Sequence, residues 1–518
     1  MSEITLEKQI RFSESAMWRD QNNYYDKKGL EAWDEDVPFY ITSNPFIGRL
    51  YANNMIRFMQ DWLRRYPDAK NYPFYILELG AGTGQFSFYV LKNLMMLKKS
   101  LQLNDVRIQY VMSDISDRAF DFWENHPALK SFLSEGVLEF SMYDLYHSTT
   151  IDLYRSKTTV TKTEIKNPLI VIANYLFDSI ASDVFSVKDG ELYESRITTK
   201  TNAKNIKDGL PIDWKKVTIT YDELLVKKPY YHNIFDDILF QYADHLVETH
   251  FQFPISSLQA LQNLQQLSNQ KLLLLTSDKA YGNLHELDYC EHPEIDFHGS
   301  FSVMVNYHAM GEYFKVCGGE YALQSFRENI ITGVLTSGFT FTELPEFQLS
   351  THALINEFSP TDYFLLYENF EKNYQKASLA EISAQLNLSG WDPQVFDHVC
   401  DHLSKLVDKA DTDELSYLTD HLSAIADNFY YLPSATDTLF NLAVFYQNVS
   451  NFEKAIEYYQ QSLTVFGDSE ITFFNLAVCL HSMERKKEAL DCLERAAKID
   501  PKEKDVKQWI KTIQKELK

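Results

Sequence analysis

The chain has 518 residues, of which 45% are hydrophobic and 24% charged, a composition typical of a globular protein with more than one folded unit. Its 73 acidic and 49 basic residues give a formal net charge of −24, which repels phosphate backbones and argues against nucleic acid as a partner. The five cysteines have no CxxC spacing, and no apolar window reaches the ~18 residues of a membrane span, so we expect a cytoplasmic protein that does not enter a membrane.

Residues 1–60 predict a helical and then extended segment, which we expect to fold over the next domain as a lid. Residues 61–370 alternate short apolar runs with helical stretches. Buried strands separated by helices predict a mostly parallel, doubly wound α/β sheet of the Rossmann type. The predicted strands cover residues 75–79, 108–112, 138–142, 169–173 and 271–275.

The first of these strands runs directly into a glycine-rich turn, YILELGAGTG at residues 75–84. Its three alternating glycines let the backbone approach a ligand at the carboxyl end of the strand. A dinucleotide-binding fingerprint would have its third glycine one position later, where Gln85 stands. The carboxylate of Glu78 suits a cation better than a pyrophosphate, so the turn favours S-adenosylmethionine over NAD. A tight turn without any ligand is the alternative interpretation.

The next two predicted strands also end near acids. Asp114 would accept hydrogen bonds from both ribose hydroxyls of a nucleoside, or cap a helix that begins near Ser116. Asp144 would lie close to the adenine amino group, or belong to a turn. Acids at three successive strand ends predict a binding site for a positively charged nucleoside. The predicted cofactor-binding residues are Glu78, Gly80, Ala81, Gly82, Gly84, Asp114, Ile115, Asp144 and Asn174.

These features resemble the class I S-adenosylmethionine-dependent methyltransferases. Within that class the chain most resembles the MidA-like group, whose mitochondrial members are protein arginine methyltransferases that assist complex I assembly. The likeness covers roughly residues 12–345 and implies S-adenosylmethionine as cofactor and methyl transfer as reaction. It rests on YITSNPFIGRLYA (40–52), ELGAGTG (78–84), SDIS (113–116) and ANYLFDSIASDVF (173–185), with HGSFSVMVNYHAMGEYF (298–314) as a weaker fifth stretch.

The fourth predicted strand leads to the candidate catalytic residues. Asn174 ends that strand beside the expected methyl group and is predicted to hold the acceptor by hydrogen bonds. Asp178, one helical turn later, is predicted to accept a proton or an amidinium charge. A turn residue and a helix cap are the alternatives for the two side chains. The family usually has Asn-Glu-Phe-Phe-Asp here, so Tyr175 stands where the family has a glutamate able to bind a guanidinium group. The resemblance therefore does not decide whether the acceptor is an arginine.

A cluster of metal-binding residue types follows in the stretch HELDYCEHPEIDFHG. It contains His285, Cys290, His292 and His298. Zinc accepts such ligands, but their spacings fit no familiar zinc pattern. We therefore expect a loop with polar histidines and predict no metal site.

The C-terminal region repeats itself. Phe-Asn-Leu-Ala at residues 440–443 returns at residues 474–477, and small residues recur with the same spacing of 34. This period resembles the tetratricopeptide family of helical repeats. We expect an all-α domain over residues 436–518, with two repeats and a terminal capping helix. Because about three repeats are usually needed for stability, these should pack on a helical connector at residues 371–435.

The sequence as a whole predicts a cytoplasmic S-adenosylmethionine-dependent methyltransferase that acts on a protein, with the repeats docking the partner. The negative charge would favour a basic segment on that partner. One alternative is a methyltransferase of a small molecule, whose repeats serve oligomerisation or regulation. Another is a non-catalytic scaffold or assembly factor that retains the cofactor fold. The oligomeric state is not predicted.

Overall fold

The chain folds into two compact units, Met1–Phe364 and Leu365–Lys518. The computed structural model describes residues 3–29, 40–206, 212–231, 233–298, 300–325, 330–407 and 410–518. We predicted a boundary at residue 370, and that position lies within a helix, Pro360–Asn373.

All the described strands belong to the first unit. They are β1 (Glu3–Ile10), β2 (Phe74–Leu79), β3 (Ile108–Asp114), β4 (Leu138–Met142), β5 (Ile151–Leu153), β6 (Thr158–Val160), β7 (Leu169–Asn174), β8 (Asp183–Lys188), β9 (Glu191–Asn202), β10 (Val217–Leu225), β11 (Thr249–Phe253), β12 (Leu272–Tyr281), β13 (Asp296–His298), β14 (Ser300–Ser302), β15 (Val305–Asn306), β16 (Tyr321–Leu323) and β17 (Ile330–Ser337).

The helices of the first unit lie between and after these strands. They are α1 (Ala16–Lys28), α2 (Pro45–Arg65), α3 (Gln85–Ser100), α4 (Phe120–Asn125), α5 (Lys130–Ser134), α6 (Asn233–His245), α7 (Ile255–Leu267), α8 (Tyr307–Val316), α9 (Pro345–His352) and α10 (Pro360–Asn373), which continues into the second unit.

The central sheet has the strand order β16-β17-β12-β7-β2-β3-β4. Neighbouring strands from β12 to β4 are parallel, whereas β17 and β16 add an antiparallel edge. Leu77 and Val171 face a core shared with helices α7 and α8. Because side chains alternate along a strand, Glu78 points to the opposite face, where Ser87 of α3 contacts it. Helices therefore cover both faces, which confirms the predicted α/β class.

A second, antiparallel sheet was not predicted. Its order is β1-β9-β8-β11, and β10 pairs with the other edge of β9. The N-terminal segment was predicted to be helical and then extended, but it begins with strand β1. Two register shifts in the pairing of β1 with β9 break the alternation by which a strand is recognised. The predicted boundary at residue 60 falls inside α2, and residues 30–39 of the expected lid lie outside the described residues.

Helix α2 accounts for the motif SNPFIG. The side chain of Asn44 caps the helix by accepting the N–H of Ile47, and Pro45 occupies the first turn, where a missing N–H costs nothing. A Cβ atom on Gly48 would lie 2.6 Å from Cβ of Tyr89 in α3. Only glycine therefore allows α2 and α3 to approach so closely, and this contact places the next turns of α2 against the sheet.

The second unit is helical throughout its described part. Its helices after α10 are α11 (Leu379–Leu388), α12 (Pro393–Leu406), α13 (Thr412–His421), α14 (Ser423–Asn428), α15 (Thr438–Asn448), α16 (Phe452–Phe466), α17 (Glu470–Ser482), α18 (Lys486–Ile499) and α19 (Lys504–Glu516).

The two repeats are the helix pairs α15–α16 and α17–α18, and α19 follows them. Their alanines are buried between paired helices, among them Ala443 and Ala477. Asp397 of α12 accepts hydrogen bonds from Thr438 at 2.6 Å and Asn441 at 2.9 Å, so the first repeat packs on the helices before it. Across the described part of the chain, every helix is too short or too polar to cross a lipid bilayer.

Candidate functional site

Two neighbouring cavities open where strands of the central sheet end. The larger has a volume of about 330 Å³ and lies at the ends of β3 and β4. The smaller, about 50 Å³, lies between the end of β2, the end of β7 and the segment before α2. Both cavities include Leu79, Gly80, Gly82 and Tyr175 in their walls. The carboxyl ends of parallel strands are where α/β sheets bind ligands.

The glycine turn after β2 forms the shared floor of the two cavities. Gly80, Gly82 and Gly84 have φ angles of +68°, +53° and +79°, a region that residues with a Cβ atom rarely adopt. Ala81 N–H donates a 2.9 Å hydrogen bond to the carbonyl of Ser113, which ties the turn to β3. The alternating glycines are thus required by backbone shape, and they leave the turn's backbone open to a ligand.

Glu78 is buried in the wall of the smaller cavity. The hydroxyl of Tyr110 donates a 2.6 Å hydrogen bond to Oε2, and the hydroxyl of Ser87 donates to the same oxygen. Burial raises the pKa of Glu78 to about 7, although these two hydrogen bonds favour the ionised form. A cation bound in this cavity would stabilise the carboxylate.

Asp114, for which we predicted a ribose contact, ends β3 in the wall of the larger cavity. Its Oδ1 accepts the N–H of Ile115 at 2.7 Å, and burial raises its pKa to about 6. Ile115 lines the same cavity and is 49% exposed, so its side chain is an apolar surface available to a base or a ribose.

Asp144 also lines the larger cavity, but its carboxylate is engaged in a turn. One oxygen accepts the N–H of Tyr146 at 2.8 Å, and the other lies 2.7 Å from Nδ1 of His147. The structure therefore shows the turn role that was the alternative to a contact with adenine. The carboxylate is still half exposed, so the two roles are compatible.

Asn174 ends β7 and lines the smaller cavity with Glu78. Its Oδ1 accepts a 2.9 Å hydrogen bond from the hydroxyl of Tyr51, and its Nδ2 donates to the carbonyl of Thr42 at 3.2 Å. Both partners come from the stretch 40–52, one of those that carry the family resemblance. The amide is held in one orientation, and each end retains hydrogen-bonding capacity toward the cavity.

Tyr175 follows with a backbone conformation that is unusual for a side chain of its size. Its φ is +48°, and its N–H donates a 2.9 Å hydrogen bond to the carbonyl of Ser277. A non-glycine residue in the left-handed region costs about 1–3 kcal/mol and persists only where the surroundings enforce it. Because Tyr175 lines both cavities, this strained backbone shapes the junction between them.

Asp278, which the sequence did not single out, enforces that turn. It is buried on β12, and its Oδ2 accepts three backbone N–H groups. The donors are those of Leu176 at 3.1 Å, Phe177 at 2.8 Å and Asp178 at 3.2 Å. The sequence feature that could have identified Asp278 is its position at the end of the apolar run KLLLLTSD.

Asp178 was predicted to act in catalysis beside Asn174, and the structure places it behind the cavity walls. It is buried, and Ser179 donates a 3.0 Å hydrogen bond to its Oδ1. Burial raises the pKa of Asp178 to about 6, and the ammonium of Lys279 opposes that shift. Ser179 lines the larger cavity, whereas the described walls of both cavities omit Asp178 itself.

These residues fit a nucleoside that carries a positively charged arm. The glycine turn leaves room for close backbone contact, Asp114 lines the larger cavity, and the buried Glu78 lines the smaller one. The structure thus brings together Glu78, the glycine turn, Asp114 and Asn174, as expected of a site at one sheet edge.

Comparison with known proteins gives the following matches. A family model described as "Putative S-adenosyl-L-methionine-dependent methyltransferase" matches residues 52–318, and a tetratricopeptide repeat model matches residues 434–502. The chain is similar to a crystal structure of a protein from Burkholderia thailandensis bound to S-adenosyl-homocysteine, with 13% identity, a TM-score of 0.34 and coverage of 61% of this chain and 74% of that chain. The chain is also similar to a native crystal structure of an uncharacterized protein from the same organism, with 11% identity, a TM-score of 0.32 and coverage of 76% of this chain and 90% of that chain. No curated protein matches the chain.

Proposed function

The chain belongs to the S-adenosyl-L-methionine-dependent methyltransferase family whose model it matches, and from this premise we propose that it methylates a side chain of a protein bound by its repeat unit. Family membership makes the chain an enzyme with S-adenosyl-L-methionine as cofactor, as the sequence predicted. The substrate is where our proposal begins.

We assign the nucleoside of the cofactor to the larger cavity and its amino-acid arm to the smaller one. Asp114 would accept hydrogen bonds from the ribose hydroxyls, and Glu78 would bind the ammonium group. When bound, the cofactor supplies a methyl group on a sulfonium, which an acceptor atom displaces in line. The observation that supports this arrangement is a pair of acidic side chains on either side of one glycine turn.

Asn174 is the residue we propose for orienting the acceptor. Tyr51 and Thr42 hold its amide in place, so it contributes a positioned donor and acceptor without a change of rotamer. For Asp178 we propose an indirect part. The hydroxyl of Ser179, in the cavity wall, can receive the proton released by the acceptor while it passes its own to the carboxylate of Asp178.

A protein acceptor is supported by the repeats that accompany the catalytic unit in one chain. Tetratricopeptide repeats present extended surfaces on which peptide segments bind. The net charge of −24 favours a partner with a basic segment. The resemblance to the MidA-like group makes arginine the first acceptor to test, although Tyr175 stands where that family has a glutamate. A small molecule remains the alternative substrate.

The test is to label a proteome with a methyl donor. We also propose a cytoplasmic location, because the five cysteines are free thiols, so a cytosolic extract is the appropriate source. The extract is incubated with the enzyme and S-adenosyl-L-methionine carrying a heavy methyl group, and labelled peptides are identified by mass spectrometry. The proposal is supported if protein is labelled by the unchanged enzyme and is not labelled by the Asn174→Ala variant. Label found only in the small-molecule fraction contradicts it.

A further inference from the structure

A second polar cluster lies on the antiparallel sheet, away from the two cavities described above. Glu223 is on β10, His250 is on β11, and His292 lies in the segment between β12 and β13. One potential ligand atom from each side chain lies within 4.8 Å of the others. The family function proposed above uses none of these three residues.

The distances between the three side chains are those of metal ligands rather than of hydrogen bonds. Oε1 of Glu223 lies 3.7 Å from Nε2 of His250 and 3.6 Å from Nε2 of His292. Both nitrogens are buried, and within the described part of the chain neither has a hydrogen-bond partner. Two nitrogen or oxygen ligands of one tetrahedral zinc ion, each bonded at about 2.0–2.1 Å, lie roughly 3.4 Å apart.

The sheet builds this arrangement from residues far apart in sequence. Glu223 pairs with Ser195 on β9, and Ser186 on β8 pairs with His250 on β11. The carboxylate of Glu223 therefore extends over two intervening strands, and it accepts hydrogen bonds from both serines. Only small side chains at these two positions leave room for it. The serine hydroxyls also fix the orientation of the carboxylate, as outer-shell groups do around metal ligands.

His250 is oriented with its Nε2 toward the cluster. Its Nδ1 lies 3.2 Å from the carbonyl oxygen of Cys290, which can only accept, so Nδ1 carries the proton and Nε2 carries the lone pair. The segment that contains Cys290 is attached to β11 by the hydrogen bond from His250 N–H to the same carbonyl. A backbone carbonyl bound to the other ring nitrogen is the usual support of a histidine that ligates a metal.

His292 is held by stacking. Its ring lies 4.0 Å from the ring of Tyr221 and 3.8 Å from that of His250, measured between centroids. Stacking on Tyr221 fixes the plane of the ring, and Nε2 lies toward Oε1 of Glu223.

We infer that Glu223, His250 and His292 bind one divalent metal ion of the zinc class. Both histidines line a cavity of about 520 Å³, which leaves a fourth position for water. This inference departs from the expectation of no metal site. Of the four residues first considered, only His292 belongs to the cluster, because Cys290 Sγ donates to the carbonyl of Glu286 and His285 is exposed. The side chain of His298 lies outside the described residues.

The test is zinc binding by the full-length protein after chelator treatment, measured by isothermal titration at pH 7.5 and by metal analysis after dialysis. We expect about one equivalent of zinc per chain. His250→Ala, His292→Ala and Glu223→Gln should each weaken binding by more than about tenfold, since even outer-shell changes cost that much. His285→Ala, an exposed histidine of the same segment, is the matched control and should bind like the unchanged protein.

Cobalt(II) provides a second measurement that does not depend on variants that fold poorly. The chelator-treated protein should give the visible absorption of four-coordinate cobalt, and zinc should displace it. Folded protein that binds no zinc, or zinc bound equally by all three variants, overturns the inference.

Discussion

The hydroxyl of Tyr51 donates a 2.9 Å hydrogen bond to Oδ1 of Asn174, and so joins helix α2 to the end of β7 at the candidate catalytic site. The same hydroxyl lies 3.3 Å from Oγ of Ser277 on β12. A residue from the N-terminal part of the unit thus determines which way the amide of Asn174 faces. The orientation of Asn174 is therefore a property of the packed unit rather than of β7 alone.

Tyr51→Phe removes this hydrogen bond and keeps the ring that packs against Phe86. The amide of Asn174 loses one of its two hydrogen bonds and keeps the one to the carbonyl of Thr42, so its orientation is less tightly fixed, and a misplaced acceptor can reduce the rate of methyl transfer by up to about 100-fold. We expect slower labelling of the proteome, with affinity for S-adenosyl-homocysteine changed less than about threefold. Tyr72→Phe, at an exposed tyrosine of the same unit, should have no effect on either measurement. A large loss of cofactor affinity in Tyr51→Phe would contradict this role.

Glu78 should make cofactor binding depend on pH. Burial raises the pKa of Glu78 to about 7 in the free enzyme, so below that pH a proton must leave before the ammonium group binds. Affinity for S-adenosyl-homocysteine, measured by calorimetry, should fall by up to about tenfold for each pH unit between 7 and 6 and be constant above pH 8. Glu78→Gln should bind more weakly at pH 8 and lose the fall that begins at pH 7, while the contribution of Asp114 near pH 6 remains, because burial raises the pKa of Asp114 to about 6.

Glu78 should also make the stability of the fold depend on pH, in the direction opposite to the pH dependence of cofactor affinity. Because the pKa of Glu78 is raised from 4.5 in the folded state, the carboxyl stabilises the cofactor-free fold most below pH 4.5 and loses that contribution as pH rises through 7. The unfolding temperature of Glu78→Gln minus that of the unchanged protein should therefore be larger at pH 8 than at pH 4.5. Equal differences at the two pH values would show that the pKa is unshifted.

Asp278→Ala should destabilise the first unit. It leaves the backbone N–H groups of residues 176–178 without their acceptor, at about 1 kcal/mol or more each, so we expect a loss of about 3 kcal/mol. Asp178→Ala is the matched control, because it removes one hydrogen bond from Ser179 and should cost about 1 kcal/mol or less. Urea unfolding followed by tryptophan fluorescence measures both. Similar losses would mean that Asp278 does not hold the turn.

Gly48→Ala tests the close approach of α2 and α3. The added methyl group would lie 2.6 Å from Cβ and 3.1 Å from the backbone carbon of Tyr89, so the helices must separate. Overpacking of this kind costs about 1–3 kcal/mol, despite the higher helix propensity of alanine. The measurement is the thermal unfolding temperature. Gln60→Ala on the same helix provides the baseline, and a Gly48→Ala protein as stable as that baseline would show that the contact is loose.

Removal of the helical second unit, which contains the repeats, tests whether they dock the substrate separately from the methyl transfer itself. A chain that ends at Lys376 retains the first compact unit, and its affinity for S-adenosyl-homocysteine should be unchanged. Labelling of a protein acceptor should fall at least about tenfold, because the docking contribution to effective concentration is lost. Labelling of protein at the original rate would remove the proposed role of the repeats and favour a small-molecule substrate.

Local patterns were sufficient for the strand-end features of the site. Glu78, the three glycines and Asp114 each lie within a few residues of an apolar run, and parallel strands bring their carboxyl ends to one edge. The position of a ligand beside a strand that ends in GxGxG can therefore be predicted from this strand and its turn alone. The repeats were predicted for the same reason, since each repeat contacts only its neighbours along the chain.

Contacts between distant segments were not predictable in this way. Strand β12 was expected at residues 271–275 and continues to Tyr281, because the polar side chains of Thr276, Ser277 and Asp278 find buried partners on other elements. The antiparallel sheet was missed because the register shifts in β1 conceal its alternation. A residue type signals burial or exposure, but its partner depends on the packing of the whole unit.

The sequence by itself determined the class of fold, the helical repeats, the glycine turn and the acids at the strand ends, because all of these follow from short periods and from residues adjacent in the chain. Only the tertiary structure decided that Tyr51 and Thr42 orient Asn174, that Asp278 shapes the turn at Tyr175, and that Asp178 lies behind the cavity wall. The physical reason is sequence separation. Side chains more than a hundred residues apart meet through sheet pairing and helix packing, and no local pattern records which of them will meet.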